Sequence, residues 1–113
     1  MILFVALALI SSFDLACVTD KGSFRLSINL ITGDYCRREA GVLSCVKDGK
    51  LDRVTPATIV IREDHASEHL RFEGIDRNNG NYSLMWFTDD TRAELNSGKC
   101  EKSAFTPFPA TKF

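Results

Sequence analysis

The residues best suited to chemistry stand in one short run, His65-Ala66-Ser67-Glu68-His69. On a helix, histidines four positions apart share a face. His65 and His69 could then hold zinc with Glu68 as the base, which is the H-x-x-E-H pattern of inverted zinc peptidases. The flanking sequence does not supply that helix. Strand-like residues end near Glu63 and resume near Leu70, leaving room for at most one or two helical turns over residues 64–68. The chain is also too short to add the long helices and third ligand of such an enzyme. The expectation is an exposed polar loop, with His65 and His69 as weak metal candidates and no cofactor. Glu63, Asp64, Glu68 and Glu73 crowd the same stretch, but glycoside cleavage needs two carboxylates at a set separation and nothing in the sequence sets one. No G-x-S-x-G elbow occurs. No catalytic residue is expected.

The four cysteines, Cys17, Cys36, Cys45 and Cys100, point to a framework instead. An even count in a small exported domain implies disulfides, and the spacing lacks the C-x2-C of a zinc site. Of the three possible pairings we favour Cys36–Cys45, closing a short loop between neighbouring strands, and Cys17–Cys100, tying the N-terminal strand to the last one. This leaves no free thiol to act as a nucleophile.

Export is read from the N-terminus. Residues 2–10 are an unbroken apolar run followed by Ser11-Ser12. Such a run makes about 14 Å of helix, too short for a bilayer that needs about 20 residues but right for the apolar part of a signal peptide. No Lys or Arg precedes it. We expect a signal over residues 1–12, with cleavage after Ser12 or as late as Ala16. Leu15-Ala16-Cys17 resembles the end of a lipoprotein box, with Asp14 where that box has an aliphatic residue. Lipid on Cys17 would leave an odd thiol, so pairing is preferred, and no membrane contact is expected beyond export unless Cys17 is lipidated. The location expected is periplasmic or secreted.

The 113-residue chain is 44% hydrophobic and 26% charged, with a net charge of −1 and no long basic run. That is one globular domain, without the basic stripe that nucleic acid requires.

Period-two patterning supplies the elements. Phe24, Leu26, Ile28 and Leu30 alternate with Ser23, Arg25, Ser27 and Asn29, one face buried and one wet. Further strands are expected over residues 15–19, 58–62, 70–75, 82–87 and from Ala93 to Cys100, with turns at Asp20-Lys21-Gly22, Thr32-Gly33-Asp34, Asp48-Gly49-Lys50, Asn78-Asn79-Gly80-Asn81, Thr88-Asp89-Asp90 and Ser97-Gly98. Tyr82, Leu84 and Trp86 share a face, and Ser83, Met85 and Phe87 the other, so that strand should be central or covered on both sides. Residues 28–35 and 75–82 echo each other as Ile-Asx-x-x-(Thr/Asn)-Gly-Asx-Tyr, predicting two hairpins of one design. The proline-broken, aromatic tail over residues 103–113 should wrap the barrel and cap its mouth.

Gly80-Asn81-Tyr82, Trp86, Ala93-Glu94-Leu95 and Cys100 resemble the late strands of bacterial periplasmic inhibitors of c-type lysozyme. The resemblance implies an exported eight-stranded antiparallel barrel, a bridge from the N-terminal region to the end, and an inhibitory serine at Ser67. Glu68 stands where that family's loop has glycine, and Thr88-Asp89-Asp90 replaces its Lys-Gly. The hairpin phrases and the Phe-Thr-Pro-Phe-Pro ending also look like small exported bacterial β-proteins.

The reading is an all-β, small antiparallel barrel or barrel-like sandwich of seven to eight strands over residues 13–102, stapled by two disulfides. Its expected core is Phe24, Leu26, Ile28, Ile59, Ile61, Phe72, Leu84 and Trp86. Its expected role is non-catalytic binding of an exported or extracellular protein through Ser67, Tyr82 and Trp86, with a cell-wall hydrolase such as lysozyme as the most specific partner. A carrier of a small apolar ligand in the barrel interior is the alternative, and a metal-dependent hydrolase the third choice.

Overall fold

The protein is described by a computed structural model over residues 11–39, 41, 42, 44–66 and 69–108. These residues form nine strands: β1 (Ser12–Thr19), β2 (Gly22–Asn29), β3 (Asp34–Glu39), β4 (Lys47–Lys50), β5 (Arg53–Val54), β6 (Thr58–Ala66), β7 (His69–Asp76), β8 (Asn81–Thr88) and β9 (Arg92–Ser103). All lie in one antiparallel sheet of order β4-β3-β2-β1-β9-β8-β7-β6-β5, curled into a half-barrel. The ninth strand, one beyond expectation, is the two-residue β5. The remaining eight are two four-stranded meanders, β1–β4 and β6–β9, joined where β1 pairs with β9. The barrel stays open because its edges, β4 and β5, do not pair.

The echoed motifs build matching hairpins. Gly33 and Gly80 take φ of 79° and 78°, and their N–H groups donate to Asn29 O and Asp76 O, each at 2.8 Å. Asn29 Oδ1 accepts from Ile31 N, and Asp76 Oδ1 accepts from Asn78 N. Each turn thus uses an Asx side chain and a left-handed glycine, and each closes by pairing Ile with Tyr, Ile28 with Tyr35 and Ile75 with Tyr82. Two expected turns are strand instead. Gly49 lies in β4 opposite Tyr35, and a Cβ there would sit 3.7 Å from the Tyr35 ring. Gly98 lies in β9, where a Cβ would come 2.1 Å from Val18 O, so close approach of β1 requires the glycine.

The concave face carries the core: Phe13, Leu15 and Cys17 of β1, Phe24, Leu26 and Ile28 of β2, and Tyr35, Leu51, Ile59, Ile61, Ile75, Tyr82 and Cys100 from the rest. Leu84 packs partly buried against it. Two expected core residues lie elsewhere. Phe72 points to the convex side and covers Gly74, where a Cβ would meet its ring at 2.6 Å. Trp86 sits half-buried toward the open end of the concave face.

Cys17 and Cys100 face each other across β1 and β9, and Cys36 is bonded to Cys45. The Cys17 sulfur is therefore taken by Cys100 and cannot carry lipid. Two such bonds imply folding in an oxidising environment. Cleavage after Ala16 would remove Phe13 and Leu15 from the core, whereas cleavage after Ser12 leaves both in place.

The tail, described through Phe108, lies along the convex face of β1–β3 rather than over the mouth. Asp14, fully buried on that face, accepts from Thr106 N at 3.0 Å, from the Thr106 hydroxyl, and from Arg25. Arg25 also donates to Ser103 Oγ, and Arg38 donates to Pro107 O at 3.0 Å and to Ser27 Oγ. The Phe105 and Phe108 rings meet edge to face.

Candidate functional site: the concave mouth

At one end the half-barrel is lined with apolar side chains. At the other, period-two alternation brings charge onto the same concave face. Register pairs Leu26 with Arg37, Arg37 with Lys47, Arg62 with Glu73, and Arg71 with Trp86. A cavity of about 120 Å3 between the two arms is lined by Arg37, Lys47, Arg62, Arg71, Glu73 and Tyr35 among others.

One network closes the floor of this mouth. The Arg37 guanidinium lies 4.0 Å over the Phe24 ring, and its Nη1 is 3.5 Å from Glu73 Oε2. The Tyr82 hydroxyl donates to the same carboxylate, and the Phe24 and Tyr82 rings meet edge to face at 5.2 Å. Burial first, and Glu73 second, push the hydroxyls of both Tyr82 and Tyr35 above their usual pKa. An ion pair with a stacked cation and a hydrogen-bonded carboxylate thus links the β3 arm to the β7–β8 arm.

The other cations differ in their bonding. Arg62 is paired with Asp64. Arg71 Nε is buried without a hydrogen-bond partner. Beside it on the same face, His69 stacks on Trp86 with ring centroids 4.2 Å apart and planes 12° apart.

Of the H-x-x-E-H run, His65 and Ala66 end β6 and His69 begins β7, so these residues are strand rather than loop, with Ala66 paired to His69 and His65 to Leu70. His65 and His69 consequently point to opposite faces of the sheet and do not share one ligand position. Ser67 and Glu68 lie outside the described residues. The carboxylates are likewise dispersed among arginines: Glu63 pairs with Arg53 on the convex side, Asp64 with Arg62, and Glu73 with Arg37. The Arg53 hydrogen bond, acting against partial desolvation, holds the Glu63 carboxyl below its usual pKa. Tyr82, at 1% exposure, has no surface to offer a partner, and its role is in the core. Of the two expected binding residues that are described, Tyr82 and Trp86, Trp86 is the one placed at the mouth. Sequence reading missed Arg37, Lys47 and Arg71. Their signal was period-two continuity: Arg37 follows Tyr35 and Arg71 precedes Glu73 on the inward face, but only the register shows which face is inward.

Toward the closed end a second cavity, of about 250 Å3, is lined by Phe13, Leu15, Leu30, Ile59 and Ile75 among others. The larger apolar space is outside the half-barrel, a groove of about 510 Å3 between β1–β3 and the tail, bordered by Ala16, Val18, Arg25, Arg38, Val42 and Thr106.

Comparison with protein-family models, with curated proteins and with solved structures gives no match for this chain.

Proposed function

We propose that the chain is an exported, non-catalytic binding module, periplasmic or secreted after loss of residues 1–12, whose partner is another exported or extracellular protein. One observation carries the reading: the inside of the half-barrel is apolar at one end and lined with cations beside the His69–Trp86 stack at the other. Such a module offers a contoured surface rather than an enclosed volume, and a half-buried Trp beside Arg is the composition of an interaction hot spot. The most specific partner is a cell-wall hydrolase such as lysozyme. Glycosidase clefts carry paired carboxylates, which a cationic mouth complements, and the resemblance of the late strands to lysozyme inhibitors points the same way. The test is capture from exported proteins by the oxidised chain over residues 13–113, together with a lysis assay using c-type lysozyme. Saturable capture of an exported protein supports the module, and slowed lysis supports its most specific form. Recovery of no exported protein, with lysis unchanged at excess chain, overturns both.

A second reading, carriage of a small apolar ligand, is favoured by the convex groove and not by the interior. Saturable binding of a fluorescent fatty-acid probe, lost in Val18→Asp, would establish it. Val18 is 64% exposed, so the substitution leaves the fold intact.

A further inference from the structure

The mouth contains more cation than the fold uses. Four basic side chains line the cavity against one carboxylate, Glu73. Of the acids near it, Glu73 and Glu39 are engaged by Arg37, and Asp64 by Arg62. Neither the Lys47 ammonium nor the Arg71 guanidinium has a hydrogen bond or ion pair among the described residues, and Arg71 Nε is buried while unpaired. Lys47 also stands directly across from Arg37 on the same face. Like charges in that position destabilise a sheet, and an unmet buried donor forfeits its hydrogen bond to water without replacing it. An anion between the arms relieves both.

We propose that this cavity is a receptor for a single oxyanion, a carboxylate or a sulfate- or phosphate-type group, held by the Arg71 fork and the Lys47 ammonium with Arg37 and Arg62 behind them. A planar guanidinium meets two oxygens of such a group at once, while lysine supplies a point charge. A volume of about 120 Å3 admits one such group and little more. The proposal rests on the binding-module reading only for the source of the anion, either a free ion or a carboxylate presented by the partner.

Trp86 is the sole tryptophan and is the register partner of Arg71, so its fluorescence reports the site. The experiment titrates the oxidised chain with sodium sulfate, with sodium phosphate and with N-acetyl-glutamate amide at constant ionic strength. The expected result is one saturable site with a Kd of about 1 mM or tighter. Arg71→Gln and Lys47→Met should each weaken it about tenfold or more, whereas Lys21→Met, away from the mouth, should leave it unchanged. Saturation by the inorganic anions alone identifies a free ion, and saturation by the glutamate analogue identifies a protein-borne carboxylate. Both support the site. No saturation by any of the three up to about 50 mM, or equal binding by the variants, overturns it. If Arg71→Gln loses its native near-UV spectrum, the exposed Lys47→Met decides alone. Capture of an exported partner that is indifferent to both substitutions would exclude a partner-borne carboxylate as the anion while leaving the module reading intact, and the titration alone then decides the site.

Discussion

Replacing Asp14 by Asn tests how the tail is held. The two side chains have the same shape, so the change removes charge rather than volume. The wild-type carboxylate is fully buried on the convex face and accepts from the Thr106 amide and hydroxyl and from Arg25. Burial alone would raise its pKa. The bonds from Thr106, Arg25 and Ser27 outweigh burial and hold the carboxyl below its usual value. In Asp14→Asn one oxygen still accepts from Thr106 N, but the new amide group turns donors toward Arg25. The Arg25 side chain is 41% exposed, so water recovers much of its loss and that pair counts for about 1 kcal/mol at most. A weakened bond to the half-buried Thr106 hydroxyl adds about 1 kcal/mol. The sum, about 2 kcal/mol, lowers the melting temperature by about 10 °C in a domain of this size. Hydrogen exchange should show the Thr106 amide losing protection, with β6 and β7 unaffected near the native baseline. A melting shift under about 3 °C, or unchanged Thr106 protection, would refute the latch. The pH dependence has a definite sign. A depressed carboxyl pKa stabilises the fold above the unfolded value near 3.9 and loses that contribution as pH falls through the folded value. Acid should therefore release the tail in the wild type and do little more in the variant.

Gly33→Ala and Gly80→Ala share a left-handed φ but differ in space: a Cβ at Gly33 meets nothing within 4 Å, while one at Gly80 lies 2.5 Å from Cys100 O. Urea melts should show about 1 kcal/mol lost at Gly33 and at least about 2 kcal/mol more at Gly80; equal losses would refute the close-approach argument. Opening Cys17–Cys100, with a sequence separation of 83, should cost about 4–5 kcal/mol, against about 2–3 kcal/mol for Cys36–Cys45, with a separation of 9. Paired Cys→Ser variants measure the difference. Tyr82→Phe removes the donor to Glu73 and should cost about 1–2 kcal/mol in a chemical melt. Because the pKa values of Tyr35 and Tyr82 are raised, their contribution is complete below the unfolded value near pH 10 and is lost as pH climbs through the folded values. Stability of the wild type should fall in alkali above about pH 10, read by circular dichroism.

Strands β1, β2, β6, β7, β8 and β9 and both hairpin motifs were legible because period two and Asx-Gly chemistry are local, whereas β4 read as a turn and β5 was not read at all. The pairing of Ile28 with Tyr35 and of Ile75 with Tyr82 follows from eight residues each. Register was not legible. Phe72 reads as core, but Ile75, Glu73 and Arg71 take the inward face of β7, so Phe72, one step out of phase with them, lies on the convex side opposite Glu63. Gly49 and Gly98 read as turn punctuation because a sequence does not show the ring or backbone that passes close to them. The mouth was invisible for a related reason. Arg37 and Glu73 are far apart in the chain and meet only because the sheet curls.

The pairing of β1 with β9 has a consequence for how the molecule matures. The middle of the sheet is made from the first and last strands of the domain, 83 residues apart at their bridged cysteines. Each meander can form from its own local hairpins, but the two cannot be joined until the final strand is in place, because closing so long a loop is slow. Until then β1 and β9 are unpaired edges, open to wrong partners. The bridge at the centre thus belongs to the last step of folding rather than to its first.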